Sequence, residues 1–250
     1  MSMFYKIKRK LLRVRLQPIH VFCFHHVSET YDPLTMWEED WVNTNVFKQW
    51  IMSLKKRGYT FISLLEAHEK LKQNKFRCKK YAVLTADDGF HSLINIVPWL
   101  IDQQIPITLF VNPKYILEDG IGENVQYRIK QTEGASISNK LYLNKEDVEA
   151  FSSQLITFAY HGYEHFDEWR IDEATFTKNL TQCVDTMQRG FSNVIPFYAH
   201  TYGHAKEEYD AILYGHGLTP VYVSGNDNYN DAFHIDRKLV SNDRLLKGLL

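Results

Sequence analysis

Short apolar runs alternate along this chain with stretches of helical period. Ile19 to Val27 is a β-rich run that ends in His25-His26. Asn45 to Arg57 gathers Val46, Phe47, Trp50, Ile51 and Leu54 on one helical face, and Gly58 follows as a C-terminal stop. Tyr59 to Ser63 reads as the next strand. Ser63 then opens a helix through Leu71, with Glu66 at capping-box spacing. Ala82 to Leu84 predicts a buried strand, followed by a helix to about Gln104 that kinks at Pro98. Ile107 to Val111 is a continuous apolar strand, Asp147 to Ser152 a short helix, and Phe158 to Tyr160 lies in another strand. Ile171 to Arg189 is the clearest amphipathic helix, with Gly190 past its end. Val194 to Ala199, Glu207 to Tyr214 and Leu218 to Val223 give strand, helix and strand, and Leu239-Val240 belongs to a last one. Strands alternating with helices imply an α/β fold with a mostly parallel sheet.

Two stretches break the alternation. Trp37 to Thr44 is a polar loop carrying aromatic residues. Asn112 to about Lys145 holds Gly120, Gly122 and Gly134 and shows no clear period. A loop of that length is an insertion over the active-site face or a surface excursion.

The chemistry collects where two strands end. Tyr81 to Ala86 runs into Asp87-Asp88-Gly89. Two adjacent carboxylates at the end of a core strand repel each other and call for a cation or a proton, unless they form a solvated turn. About seventy residues on, Phe158-Ala159-Tyr160 runs into His161-Gly162-Tyr163-Glu164-His165. Histidines four apart put both imidazoles on one side of a turn, as a divalent metal requires. One carboxylate and two histidines with open positions form the ligand set of a hydrolytic metal site.

Thr85-Ala86-Asp87-Asp88-Gly89 resembles the T-F-D-D-G motif of the polysaccharide deacetylases, the NodB-homology or carbohydrate esterase 4 family. His161 to His165 resembles that family's H-[ST]-x-x-H, with Gly162 in place of the hydroxyl residue. The resemblance covers roughly Pro18 to Val240. It implies an irregular (β/α) barrel with its site at the C-terminal ends of the strands. It also implies Asp88, His161 and His165 as metal ligands, with zinc ahead of cobalt, nickel or manganese, and Asp87 as the base that takes a proton from water. The family's R-x-P-Y-G falls on Ala199-His200-Thr201-Tyr202-Gly203, so a backbone amide near Tyr202 is the implied oxyanion donor. The arginine of that motif is missing here. Branches carrying Phe-Ala-Tyr-Pro-Tyr-Gly match this segment better. If Leu239-Val240 is the last strand of a closed barrel, it returns beside the first. Arg237 is therefore the expected partner of Asp87, the alternative being a surface pair with Asp231, Asp236 or Asp243. His200 is either a reach toward the metal or a hydrogen-bonded strand residue. His25 is expected to face the site mouth as a supporting residue. The family's late motifs, including the L-x-H that supplies the acid, have no match; His216 and His234 are available, but in the wrong context.

Composition narrows the rest. The 250 residues suit one large domain, 18–250, behind a basic segment, 1–17, with 112–145 as the insertion. With 29 basic and 30 acidic residues, no nucleic-acid surface of the usual basic kind is expected. Cys23, Cys78 and Cys183 lack metal or redox spacing, which points to a reducing compartment. The basic segment lacks the apolar core of a signal peptide and offers either a peripheral membrane contact or a helix packed on the domain. The expectation is a cytoplasmic, possible membrane-peripheral enzyme that removes N-acetyl groups from an amino-sugar-containing glycan or glycan precursor. The alternative is a catalytically impaired carbohydrate-binding protein on the same fold.

Overall fold

Parallel pairing of short buried strands needs helices to carry the chain back, and the order of elements follows that need. The chain runs β1 (Ile19–Phe24), β2 (His26–Ser28), β3 (Trp41–Asn43), α1 (Thr44–Lys56), β4 (Tyr59–Phe61), α2 (Leu64–Gln73) and β5 (Lys80–Ala86). Next come α3 (Val97–Asp102), β6 (Ile107–Val111), the short α4 (Pro113–Leu117), α5 (Lys145–Ala150), β7 (Ile156–Tyr160) and α6 (Glu173–Gly190). β8 (Val194–Ala199), α7 (Glu207–Gly215), β9 (Thr219–Val223), β10 (Ile235–Leu239) and α8 (Asn242–Leu246) complete it. This is a computed structural model, which describes residues 19–73, 79–118, 122, 126, 129–132, 140–151, 153–223, 230 and 232–248. The basic segment 1–17, Cys78 and much of 112–145 lie outside the described residues.

The sheet closes on itself. β1 pairs with β10, Val21 opposite Arg237, and on its other edge with β5, Val21 opposite Val83. Between them β9, β8, β7 and β6 follow in order, making a parallel seven-stranded barrel. β4 extends the lower edge of β5, with Tyr59 opposite Lys80, below the stretch where β6 takes over.

Alternation along each strand splits the core in two. Val21, Val83, Phe110, Ala159, Phe197, Ala199, Val221 and Ile235 fill the barrel interior, which Leu64, Ala67 and Leu71 of α2 help to close. Phe22, Phe24, Leu84, Leu109 and Phe158 face outward, against Phe47 and Ile51 of α1 and Phe176, Leu180 and Met187 of α6. Asn43 and Asp172 cap α1 and α6 by accepting backbone N–H bonds. Arg237 shares the inward side of β10 with Ile235, so a guanidinium sits inside an apolar barrel, 1% exposed.

Some local expectations shift. In place of one kinked helix after Asp88, a 3-10 turn at His91–Asn95 precedes α3, and Pro98 lies in the first turn of α3, where its missing N–H costs nothing. The Trp37 to Thr44 loop contains β3, which pairs with β2. The last strand begins earlier than Leu239-Val240, at Ile235, so Arg237 lies in the middle of β10. Among the described residues, no helix is long and apolar enough to cross a membrane.

Candidate metal centre

Strand ends at the barrel mouth bend through left-handed backbone. Asp87 stays in the barrel, its N–H donating to Phe24 O at 3.0 Å. Asp88 and Gly89 then turn the chain away at φ 69° and 71°. Aspartate tolerates that region better than most residues. The turn separates the two carboxylates, sending Asp87 inward and Asp88 to the mouth. Beyond β7, Gly162 makes a similar turn at φ 79°, and a Cβ there would meet Asn179 Oδ1 and Glu164 O at 2.9 Å. The backbone therefore requires glycine where the related motif carries a hydroxyl residue.

Three donor atoms converge. Asp88 Oδ1 lies 3.1 Å from His161 Nε2 and 3.2 Å from His165 Nε2. Although buried, that oxygen has no hydrogen-bond partner among the described residues. His161 Nδ1–H donates to Ala199 O at 2.8 Å, which leaves Nε2 as a lone pair aimed at the cluster. Ligands held about 2.0–2.1 Å from one cation stand about 3.0–3.4 Å apart, so the set fits a divalent metal. Burial opposes charge on Asp88, but the His165 and His161 imidazoles hold its carboxyl well below the usual range. Burial likewise lowers His161, and Asp88 and Asp87 override it upward.

Asp87 is gripped from inside the barrel. Arg237 donates from Nη1 to Oδ1 at 2.6 Å and from Nη2 to Oδ2 at 2.7 Å. Arg237 Nη1 also donates to Thr85 Oγ1 at 3.2 Å, and the guanidinium lies over the Phe110 ring. The Cys23 thiol donates to Asp87 Oδ2 at 3.4 Å. Burial works against ionised Asp87, but Arg237 and then His161 outweigh it and lower the carboxyl below its usual range. The missing motif arginine is thus replaced by one from β10.

His200 does not reach the Asp88 cluster. Its Nδ1 meets Glu168 Oε2 at 2.6 Å and its Nε2 meets Asp210 Oδ1 at 3.0 Å. Glu168 also accepts from Tyr198 OH at 3.0 Å and Thr201 N–H at 3.2 Å, and Asp210 accepts from Tyr222 OH at 2.6 Å. Burial would lower the His200 imidazole, but Asp210 and Glu168 push it up to about 9. Just past this cluster Tyr202 is left-handed at φ 56°, a costly conformation for an aromatic residue, and its ring stands against His165 at 4.4 Å.

The cleft above these groups measures about 450 Å³. His25, Asp40, Asp87, Asp88, Asn112, His161, His165 and Tyr202 line it. His25 Nδ1 lies 3.5 Å from Asp40 Oδ1. Asn112 Nδ2 donates to the carbonyls of His161 and Gly162, holding the histidine turn. Gly122 and Tyr142 show that described parts of the insertion border the cleft. Tyr142 stacks between Phe90 and Tyr115 as one wall.

Asp87, Asp88, His161, His165, Tyr202 and Arg237 therefore meet at one mouth. His216 and His234 do not: both are exposed, one ahead of β9 and the other ahead of β10, at the end where those strands begin. Asn112, Asp40 and Glu168 escaped the sequence reading. Asn112 had a signal, being polar directly after an apolar strand like Asp87. Asp40 and Glu168 stand among other charged residues with nothing to distinguish them.

The family model described as polysaccharide deacetylase matches residues 74–221. No curated protein matches the chain by sequence. Among solved structures, IcaB from Ammonifex degensii aligns with a TM-score of 0.73 at 20% identity, over 93% of this chain and 96% of that one. The de-N-acetylase from Aggregatibacter actinomycetemcomitans aligns at 0.71 and 14% identity, over 93% and 99%. The Streptococcus pyogenes deacetylase PplD, solved with acetate, aligns at 0.70 and 18%, over 92% and 96%. These likenesses establish a shared fold.

Proposed function

The chain belongs to the polysaccharide deacetylase family, and on that premise we propose that it removes N-acetyl groups from an amino-sugar-containing glycan or glycan precursor by metal-dependent hydrolysis. One observation carries the reading: two adjacent carboxylates stand in opposite situations. Asp88 has an oxygen without a hydrogen-bond partner among the described residues, set between two imidazole nitrogens, while Asp87 is clamped by Arg237.

Asp88, His161 and His165 would hold the divalent cation, and their nitrogen and carboxylate donors suit zinc first, with cobalt, nickel or manganese as alternatives. Bound there, it supplies a Lewis acid for the acyl oxygen and lowers the pKa of water. The remaining work belongs to the chain. Asp87 accepts a proton from the attacking water. Each carboxylate oxygen has two lone pairs; the bidentate Arg237 occupies one on each and the Cys23 thiol the second on Oδ2, which leaves that of Oδ1 for the reaction. The guanidinium aims the carboxylate at the cost of some basicity. A main-chain N–H of the Tyr202 turn would donate to the oxygen that gains charge as the acyl carbon becomes tetrahedral.

The leaving amine needs a proton when the C–N bond breaks. His25 lines the cleft, its Nδ1 3.5 Å from Asp40 Oδ1, and is the group assigned to donate that proton. His200 has both nitrogens engaged and is unsuited to the task. The balance closes: the water oxygen and one of its protons end in acetic acid, the other water proton goes to Asp87, the amine takes the proton of His25, and exchange through solvent returns the Asp87 proton to His25. The impaired-protein alternative rested partly on a missing arginine, and Arg237 removes that reason.

The test is acetate release from N-acetylglucosamine oligosaccharides, with and without chelation and zinc readdition. Chelation and Asp87→Asn should each abolish release. Release indifferent to both would sink the proposal.

A further inference from the structure

The 3-10 turn after the histidine motif, Glu168–Arg170, carries an indole that the mechanism does not use. Trp169 is 61% exposed. Phe233 and Leu246 are the more exposed large apolar residues, and Phe233 lies ahead of β10, at the end of the barrel away from the cleft. Trp169 instead follows β7 on the mouth side.

Its ring is mounted rather than loose. The His204 imidazole stacks on one face, with centroids 3.9 Å apart and planes within 6°. His204 Nδ1 is held by Asp167 Oδ1 at 2.8 Å, and that oxygen also accepts the Trp169 backbone N–H at 3.1 Å. Arg170 Nε pairs with Asp167 Oδ2 at 3.0 Å. Ordering a side chain is part of the cost of binding, and here much of it is met before any ligand arrives. An aromatic strip runs from the cluster outward: His165 to Tyr202 at 4.4 Å, Tyr202 to His204 at 5.9 Å, His204 to Trp169 at 3.9 Å. Across the barrel, Trp37 lines the cleft from the β2 to β3 connection and is 48% exposed. Trp37 thus lies in the cleft lining, and Trp169 stands beyond it at the outer end of the strip.

We propose that Trp169, backed by His204, is a stacking subsite for a pyranose ring of an extended glycan, outside the unit that reacts. The indole would cover the C–H face of the sugar, with Asp167 and Arg170 at the edge for hydroxyl or amide groups. Trp37 on the far side fits a chain that crosses the mouth, which favours an internal unit of an oligomer over a free or nucleotide-linked monosaccharide. This rests on the deacetylase reading and narrows its substrate.

The experiment compares Trp169→Ala and Trp169→Phe with wild type on N-acetylglucosamine oligomers of increasing length. Calorimetric binding of the hexamer is measured in parallel on the Asp87→Asn background. We expect Trp169→Ala to raise KM for the hexamer about tenfold with kcat within about twofold, to cut the preference for hexamer over dimer by a similar factor, and to weaken binding equally. Trp169→Phe should keep most of both. Unchanged hexamer KM and binding in Trp169→Ala would overturn the subsite, as would loss of lipid-vesicle binding alone, which would make the indole a membrane contact. A wild type that binds hexamer through Trp169 yet releases no acetate would sink the catalytic reading and leave the subsite standing. No hexamer binding by wild type would remove both.

Discussion

The Asp88, His161 and His165 cluster and the Glu168, His200 and Asp210 cluster are built from the same two kinds of side chain at neighbouring positions of one barrel mouth. Their hydrogen-bond accounts differ. In the second, both His200 nitrogens are engaged at 2.6 and 3.0 Å, and its carboxylates also take tyrosine hydroxyls and a backbone N–H. In the first, Asp88 Oδ1 has no hydrogen-bond partner among the described residues, and the imidazole nitrogens beside it converge on the same point. A closed cluster holds the fold; an open one holds a ligand. Residue types alone do not separate them, whereas unspent lone pairs do.

The largest expected effect comes from the open cluster. Asp88→Asn should lose bound zinc and reduce acetate release by about a thousandfold, with little change in the melting temperature of metal-free protein. Asp87→Asn should lose release to a similar extent but retain zinc, as read by elemental analysis. Equal zinc loss in both variants would mean that both carboxylates are ligands and that the base lies elsewhere.

The closed cluster should show the opposite pattern. Glu168→Ala leaves an imidazolium short of one carboxylate and leaves Tyr198 OH and Thr201 N–H without their acceptor. The expected cost is about 3–5 kcal/mol, lowering the melting temperature by on the order of 10 °C with zinc content near wild type. Zinc loss at an unchanged melting temperature would erase the distinction between the clusters.

Acidity offers a further test. His200 is pushed up to about 9, so its contribution to stability is full below about pH 6.5, where the unfolded imidazole is also protonated. It is lost as pH rises through about 9, by on the order of 3 kcal/mol. Wild type should therefore lose stability relative to His200→Asn between those pH values in calorimetric scans. Parallel curves would mean that the ring is neutral.

The smallest effect is at Gly162. Alanine there adds about 1–2 kcal/mol of backbone strain and a clash with Asn179 Oδ1 and Glu164 O. It should weaken zinc affinity severalfold in chelator competition by tilting His161, and an unchanged affinity would show that the turn adapts.

What could be read in the sequence was local. Strand and helix spacing are set by short-range periodicity, so the α/β alternation and most elements could be located from the apolar pattern alone. The Asp87-Asp88-Gly89 and His161 to His165 stretches were legible because each stands where an apolar run stops. Pro98 misled because a proline in the first turn and a proline in a kinked helix look alike until the chain direction is known. Tertiary structure decided the partners. Arg237 meets Asp87 across 150 residues because β10 returns beside β1, and barrel closure is a property of the whole sheet. Glu168, His200 and Asp210 come from three different segments, and His25 and Asp40 from two, so no spacing rule joins them. Whether a histidine is spent on its neighbours or left facing a ligand depends on which atoms lie within about 3 Å, and only the folded chain determines that distance.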